Sequence, residues 1–292
     1  MCWVAGNILW LASYPKSGNT WMRVLLANYL GDLQSPVHIN ELELAPVASG
    51  RSLFDDLAGS ESSDMTPKEI ERYRPRVYKE LSDRADELVY LKVHDAFTRT
   101  AEGVPLLSKS ATYGAVYLIR NPLDVSVSLA HHTGWPVDEV IRQMANEKFS
   151  FDGNLDCLRR QLKQKLLTWS GHVSSWVDEP DVKVLVVRYE DMVADTERQL
   201  ARVASFCGLQ IDQPRIEQAV AFSRFDALQA QERADGFREK EPFSTSFFRE
   251  GRIGTWRDSL TDSQRMKILH DHSAIMERFG YAPFSWLHES PA

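Results

Sequence analysis

The chain has 292 residues, of which 43% are hydrophobic and 26% charged, with a formal net charge of −7. That balance supports a large buried core in one α/β domain with insertions and excludes a disordered chain. The negative charge argues against nucleic acid or an anionic membrane as the main partner, so an anionic ligand would need a locally positive site. The three cysteines, Cys2, Cys157 and Cys207, form no C-x-x-C pair and lie at no zinc-ligand spacing, which fits a reducing cytoplasm. No apolar run near the start is long enough for a membrane span, and no basic stretch introduces a signal-like core.

The apolar run Ile8-Leu9-Trp10-Leu11-Ala12 reads as a buried strand. A tight turn from Ser13 to Asn19 leads into an amphipathic helix carrying Trp21, Leu25, Ala27 and Leu30. Residues 32–66 are polar and scattered with Pro, Gly and Ser, and are expected to form a long surface excursion of weak order. Thr66-Pro67-Lys68-Glu69 has the form of a capping box with proline in the first turn, so a helix starts there and should falter near Pro75. Residues 88–93 and 115–119 are strands apolar on both faces, as buried parallel strands are, and His94 and Arg120 follow them directly.

Asn121-Pro122 can cap and begin a helix bearing Asp124, Ser128 and His131. Leu158, Leu162, Leu166, Trp169, Val173 and Trp176, spaced by fours and threes, predict one longer helix with a core-facing stripe. A fourth strand over 182–187 ends at Arg188-Tyr189, with helices near 196–206 and 214–221 beyond it. Strands alternating with helices predict a P-loop-like parallel sheet covered by helices on both faces.

In such a sheet ligands gather beyond the carboxyl ends of the strands, and Lys16, His94, Arg120 and Tyr189 all fall there. The first loop offers N–H groups at a helix start, the hydroxyls of Ser17 and Thr20 and the Lys16 ammonium, a set suited to a phosphate-like anion. Read alone, the same loop could be a plain strand-to-helix turn in which Gly18 supplies a positive φ.

Tyr14-Pro15-Lys16-Ser17-Gly18-Asn19-Thr20-Trp21 resembles the 5′-phosphosulfate loop of the sulfotransferases that use 3′-phosphoadenosine 5′-phosphosulfate (PAPS), with Asn19 as in bacterial natural-product members. Arg120-Asn121-Pro122-Leu123-Asp124, with Ser128, is similar to that family's 3′-phosphate segment. Phe248-Arg249-Glu250-Gly251-Arg252-Ile253-Gly254-Thr255-Trp256 resembles its last motif, with Glu250 where lysine is usual. The resemblance implies a sulfotransferase moving a sulfuryl group to the hydroxyl of a small acceptor and releasing 3′-phosphoadenosine 5′-phosphate (PAP).

It further implies that Lys16, Ser17, Gly18, Asn19 and Thr20 hold the 5′ end, and that Arg120, Ser128, Arg249 and Gly251 hold the 3′-phosphate without a metal. Trp21 and Phe225 would stack adenine, with Ser223 and Tyr189 nearby. His94, two residues after Lys92, would be the general base, at an ordinary histidine pKa, and Lys92 would assist near the sulfuryl group. His131 and His132 are rival bases, with an acceptor-binding role expected first for His131. Segments 131–153 and 227–250 should border an acceptor pocket rich in aromatic residues, and Arg257, Thr261, Asp262 and Met266 are a partial match to a dimer segment. A P-loop phosphotransferase would need a lysine after glycine and an acidic magnesium site, for which only Glu190-Asp191 offers itself. A nucleotide-binding protein without turnover would not need both a base and a leaving-group cation.

Overall fold

The structure is a computed structural model and describes residues 6–151, 159–241 and 244–281. Strand β1 (Ile8–Ser13) leads through the first loop into α1 (Asn19–Leu30), followed by α2 (Arg51–Ala58), α3 (Pro67–Arg84), β2 (Val89–Val93) and β3 (Thr112–Ile119). Next come α4 (Pro122–Thr133), α5 (Val137–Met144), the short pair β4 (Ser150–Phe151) and β5 (Gln164–Lys165), and α6 (Trp169–Val177). The chain closes with β6 (Val184–Arg188), α7 (Tyr189–Ala194), α8 (Thr196–Phe206), α9 (Gln213–Phe222), α10 (Phe225–Asp235), α11 (Trp256–Ser259) and α12 (Asp262–Arg278).

The main sheet runs β2-β1-β3-β6 with every pairing parallel. β1 lies inside it and is buried along its whole length, which accounts for its unbroken apolar run. Its two faces feed separate cores: Ile8, Trp10 and Ala12 pack on one side with Tyr117 and Trp176, and Leu9 and Leu11 pack on the other with Leu25 and Val203. In register, Ala12 lies opposite Val93 and Tyr117, and Ile119 lies opposite Arg188. The strands therefore end at one edge of the sheet, and the residues after them emerge together there. Edge strand β2 is itself covered: Lys92 N–H donates to Pro46 O at 2.9 Å, and Ala48 N–H donates to Lys92 O at 2.8 Å.

Three expectations change. Residues 32–66 carry α2 and bury Ile39, Ala45, Ala48 and Phe54, so this stretch is folded onto the domain. The helix capped by Thr66 and Glu69 does form, but it runs through Pro75 to Arg84. Proline within a helix costs about 3 kcal/mol; anchors on both sides offset it, since Arg74 is bound to Asp95 and Tyr78 donates to Ala48 O at 3.0 Å. The single long helix expected from Leu158 onward is instead β5 followed by α6, with Leu158 outside the described residues. Leu167 takes φ 60°, against helix continuation, and Thr168 caps α6 through the Gly171 N–H at 2.8 Å. Leu162 and Leu166 are buried all the same, but their backbone N–H groups serve Ser49 O and Phe149 O.

Immediately beyond His94, Asp95 is fully buried and accepts from Arg74 NH1 at 3.0 Å and NH2 at 2.6 Å, and from Lys165 N–H at 3.1 Å. Trp176 Nε1 donates to Asp95 O at 3.0 Å, and the buried His172 Nε2 to His94 O at 3.0 Å. The strand end that presents His94 is thus tied down from behind. Asp95→Ala strands the Arg74 guanidinium without its counter-charge and should lower the unfolding free energy by about 3 to 5 kcal/mol; urea denaturation with an unchanged slope measures this.

Candidate active site

The strand ends open into a cleft of about 1180 Å³ lined by the first loop, the β2 and β3 ends, α4 and residues 238–241, 247–252 and 255. Of the first loop, Lys16, Gly18, Asn19, Thr20 and Trp21 reach its wall. Lys16 has φ 68° and Gly18 φ 96°, two left-handed residues that fold the loop tightly before α1. At Gly18 there is no room for a side chain, because a Cβ would stand 2.7 Å from the Tyr189 ring. Ser17 is buried and its Oγ has no partner among the described residues. A buried hydroxyl left unpaired costs stability unless something bonds it, as an anion seated in this loop would.

The Lys16 ammonium sits 4.1 Å from the centre of the Phe247 ring. Burial first, then repulsion from Lys92 and Arg120, lowers its pKa to about 7, so it is poised to gain full charge when an anion arrives. Arg120 is nearly buried, donates to Lys16 O at 3.2 Å and Arg252 O at 3.1 Å, and lies 4.3 Å from the centre of the Tyr189 ring. Its Nε has no partner among the described residues. The carboxylate one turn along α4, Asp124, does not pair with Arg120. It accepts from Gly254 N–H at 2.8 Å, Thr255 Oγ1 at 3.0 Å and Trp256 N–H at 3.1 Å, fastening the last motif to the second.

His94 Nδ1 lies 2.8 Å from Ser13 O and 3.2 Å from Ser13 Oγ. A carbonyl only accepts, so Nδ1 carries the proton and Nε2 is left as the basic nitrogen. The expectation of an ordinary pKa is corrected here: burial, reinforced by Lys92, pushes His94 well below 6.5. The imidazole is therefore neutral at physiological pH. Lys92 is nearly buried and its ammonium donates to Glu239 Oε2 at 2.8 Å. Of the two α4 histidines, His132 lines the cleft, with its pKa lowered to about 3 by burial, Lys16 and Lys92. His131, expected as the acceptor contact, is exposed and hydrogen-bonded to Arg249 NH1.

Ser128, Tyr189, Phe225, Arg249 and Gly251 also line the cleft. Gly251 takes φ +62°, and a Cβ there would come within 2.5 Å of the Phe225 ring. Glu250 pairs with Arg249 at 3.3 Å and Arg252 at 3.0 Å, so the departure from lysine is met by two arginines. Ser223 stays behind the wall: its Oγ donates to Ala219 O at 2.7 Å and accepts from Asn28 Nδ2 at 3.0 Å, while its carbonyl takes the Trp21 Nε1–H at 2.9 Å. Trp135, Phe151, Phe247 and Phe248 form the aromatic part of the cleft, Phe149 and Phe237 pack behind them, and Phe243 is outside the described residues. Glu190 is not free for magnesium, because it accepts from Asn121 N–H and the Tyr281 hydroxyl, each at 3.0 Å.

Sequence reasoning missed Glu239, Asp124's fastening role and Glu232, whose two oxygens accept from the N–H groups of Phe247 and Phe248 at 2.6 and 2.8 Å. Glu239 acts on residues more than a hundred positions away, so no local spacing signals it. Asp124 was visible only as a letter in the second motif.

Residues 7–280 match the family model described as the sulfotransferase domain. The chain belongs to the sulfotransferase domain family. It is 27% identical over 275 residues to cytosolic sulfotransferase 12 of Arabidopsis thaliana, covering 88% of this chain and 74% of that one. Flavonol 3-sulfotransferase of Flaveria bidentis is 23% identical over 275 residues, covering 90% of this chain and 79% of its own. The fold resembles that of retinol dehydratase solved with androsterone and inactive cofactor PAP, at TM-score 0.61 and 20% identity over 92% of this chain and 80% of the other. A mouse sulfotransferase complexed with PAP gives TM-score 0.58 at 18% identity, covering 92% and 84%. The phosphotransferase reading falls with this membership. Among the described residues of this sulfotransferase-family chain, no group of three or more His, Cys, Asp or Glu could hold a metal ion, and no helix is long and apolar enough to cross a membrane.

Asp124→Ala removes the acceptor for three donors and should loosen the last motif without unfolding the sheet. Hydrogen exchange at the Gly254 and Trp256 amides is expected to quicken at least tenfold, with global stability lowered by about 1 to 3 kcal/mol.

Proposed function

We propose that this chain transfers a sulfuryl group from PAPS to a hydroxyl of a small organic acceptor, with His94 as general base and Lys16 as the cation at the leaving oxygen. The observation that carries it is the pairing of His94 Nδ1 with Ser13 O, which leaves a neutral imidazole nitrogen in a cleft shared with an ammonium of pKa about 7. The unpartnered Ser17 Oγ and Arg120 Nε, and the two glycines that keep side chains out of the loops, fit a polyanion in that cleft.

PAPS supplies the electrophilic sulfur and a phosphate leaving group. The first loop would hold the 5′ end through Lys16, Ser17, Gly18, Asn19 and Thr20, and Arg120, Ser128, Arg249 and Gly251 the 3′-phosphate, with no metal in the clamp. Trp21, Phe225 and Tyr189 would bound the adenine, with Ser223 acting through Trp21. His94 Nε2 takes the acceptor's hydroxyl proton as the oxygen attacks, while Lys16 offsets the charge gathering on the departing oxygen. Lys92 would assist near the transferring sulfuryl group.

The aromatic wall formed by Trp135, Phe151, Phe247 and Phe248 supports an acceptor with apolar or aromatic rings, in keeping with retinol dehydratase, which has been solved with androsterone and with retinol. A cytoplasmic setting belongs to the same reading, supported by the buried free thiol of Cys207. Pairing with a second copy would draw on the stretch from Arg257 to Met266, where Met266 is 49% exposed on α12.

Incubation with PAPS and a panel of alcohols, read by mass spectrometry for an added sulfuryl group, tests the activity. His94→Ala should lower turnover about a hundred- to ten-thousandfold while PAP affinity holds. Because only the neutral imidazole accepts a proton, and its pKa lies well below 6.5, the acid limb of wild-type turnover at saturating PAPS should show no fall near pH 6.5 and should drop only in more acidic solution. Normal turnover in His94→Ala, with loss in His132→Ala, would move the base to α4.

Calorimetry with PAP tests the clamp. Lys16 is half neutral near pH 7 and would be protonated beside phosphate, so binding should take up about half a proton near pH 7, close to one well above it and none well below it. PAP affinity should therefore decline as pH rises through 7, and Arg120→Ala should weaken it by about tenfold to more than a hundredfold.

A further inference from the structure

Lys92 has a partner that its place on an edge strand does not call for. Its ammonium donates to Glu239 Oε2 at 2.8 Å, and Arg23 NH1 donates to Oε1 of the same carboxylate at 2.6 Å. The bridge joins α1, β2 and the stretch after α10. Arg23 is 3% exposed and Lys92 9%, so where they stand little water is at hand to replace the carboxylate. Other charged or titratable groups bear on the same spot: Lys16 from the first loop, His94 beyond β2, His132 on α4 and Arg120 beyond β3. Glu232 on α10 is the other carboxylate that acts on Lys16.

We propose that Glu239 is a positioning residue of the sulfuryl-transfer centre, a carboxylate bridge from Arg23 that fixes the Lys92 ammonium in the cleft wall and offsets its repulsion of Lys16. This rests on the functional reading above for what Lys92 and Lys16 do, while the bridge itself is a matter of charge and geometry that can be measured without turnover. Glu239 spans two cations with its two oxygens, so it sets both the direction of the Lys92 side chain and the net charge beside the first loop. Its own carboxyl is held far below the usual carboxylate range by Lys92 and Arg23, against the opposing effect of burial, and stays ionised over the working pH. In return it raises the pKa of Lys16, Lys92 and His94, acting against the burial that lowers each.

Glu239→Gln keeps the shape and removes the charge. Trace acetylation with acetic anhydride across neutral and alkaline pH, mapped by mass spectrometry, should show Lys16 and Lys92 titrating lower than in the wild type. Labelling of Lys92 at neutral pH should rise about tenfold, which is one pKa unit; Lys16, already half neutral near pH 7, should show a lower midpoint and at most about a twofold rise there. Turnover should fall by about tenfold, and in a Lys92→Met background the same substitution should cost much less, because its effect runs through Lys92. Glu239→Asp keeps the charge but is one methylene short of spanning both cations; it should give an intermediate labelling shift and serves as the test if the glutamine variant does not fold. Unchanged lysine titration in whichever variant folds, or turnover losses that simply multiply in the double variant, overturns the proposal. A wild type that neither binds PAP nor transfers sulfuryl groups refutes the functional reading instead, and the labelling still decides the bridge.

Discussion

Lys92 and Arg120 both repel Lys16 beside the carboxyl edge of the sheet, in a chain whose formal charge is −7 overall. Holding cations together without an anion between them is costly in a low-dielectric cleft, and much of the local structure answers that cost. Lys16 answers it by lowering its pKa and lying against the Phe247 ring, Arg120 by spanning two carbonyls and a tyrosine face, and Lys92 by pairing with Glu239. All three side chains line the cleft. An anion of the kind proposed above would meet cations already held in place by these contacts.

The same edge shows how a parallel sheet turns backbone geometry into chemistry. Ser13 ends β1, and its carbonyl fixes the tautomer of His94, which follows the neighbouring strand β2. Two residues eighty positions apart are placed together by strand register alone. Behind them, the Arg74–Asp95 pair, His172 and Trp176 fasten the backbone of residues 94 and 95, so the imidazole hangs from a fixed support.

Much of this was legible in the chain because the residues concerned are local. An apolar run, a turn with Lys16 and Gly18, and a strand ending at Arg120 each carry their signal within a few positions, and the alternation of strands and helices predicts the parallel sheet that brings them together. The misreadings arose where distant contacts overrode local pattern. Leu162, Leu166 and Trp169 have helical spacing, yet pairing with β4 and the left-handed Leu167 split that stretch. Pro75 looks like a stop, but Arg74 and Tyr78 are anchored to other elements. His131 and His132 are adjacent and chemically alike, and only the orientation of α4 sends one to the cleft and the other to Arg249. Asp95 carries no local signal and gains its meaning from an arginine 21 positions earlier.

The hydrogen bonds between Lys92 and the Pro46–Ala48 segment have a consequence for behaviour in concentrated solution. An open edge of a parallel sheet offers unpaired N–H and C=O groups that can template a strand from another molecule. Here both backbone groups of Lys92 are already occupied from outside the sheet, by a segment that buries Ala45 and Ala48. The cover over this cleft-lining residue is also a guard against intermolecular strand addition. Loosening the 46–48 segment would expose an aggregation-prone edge and free the Lys92 backbone in the same event, so colloidal stability and cleft geometry are bound to one short stretch of chain.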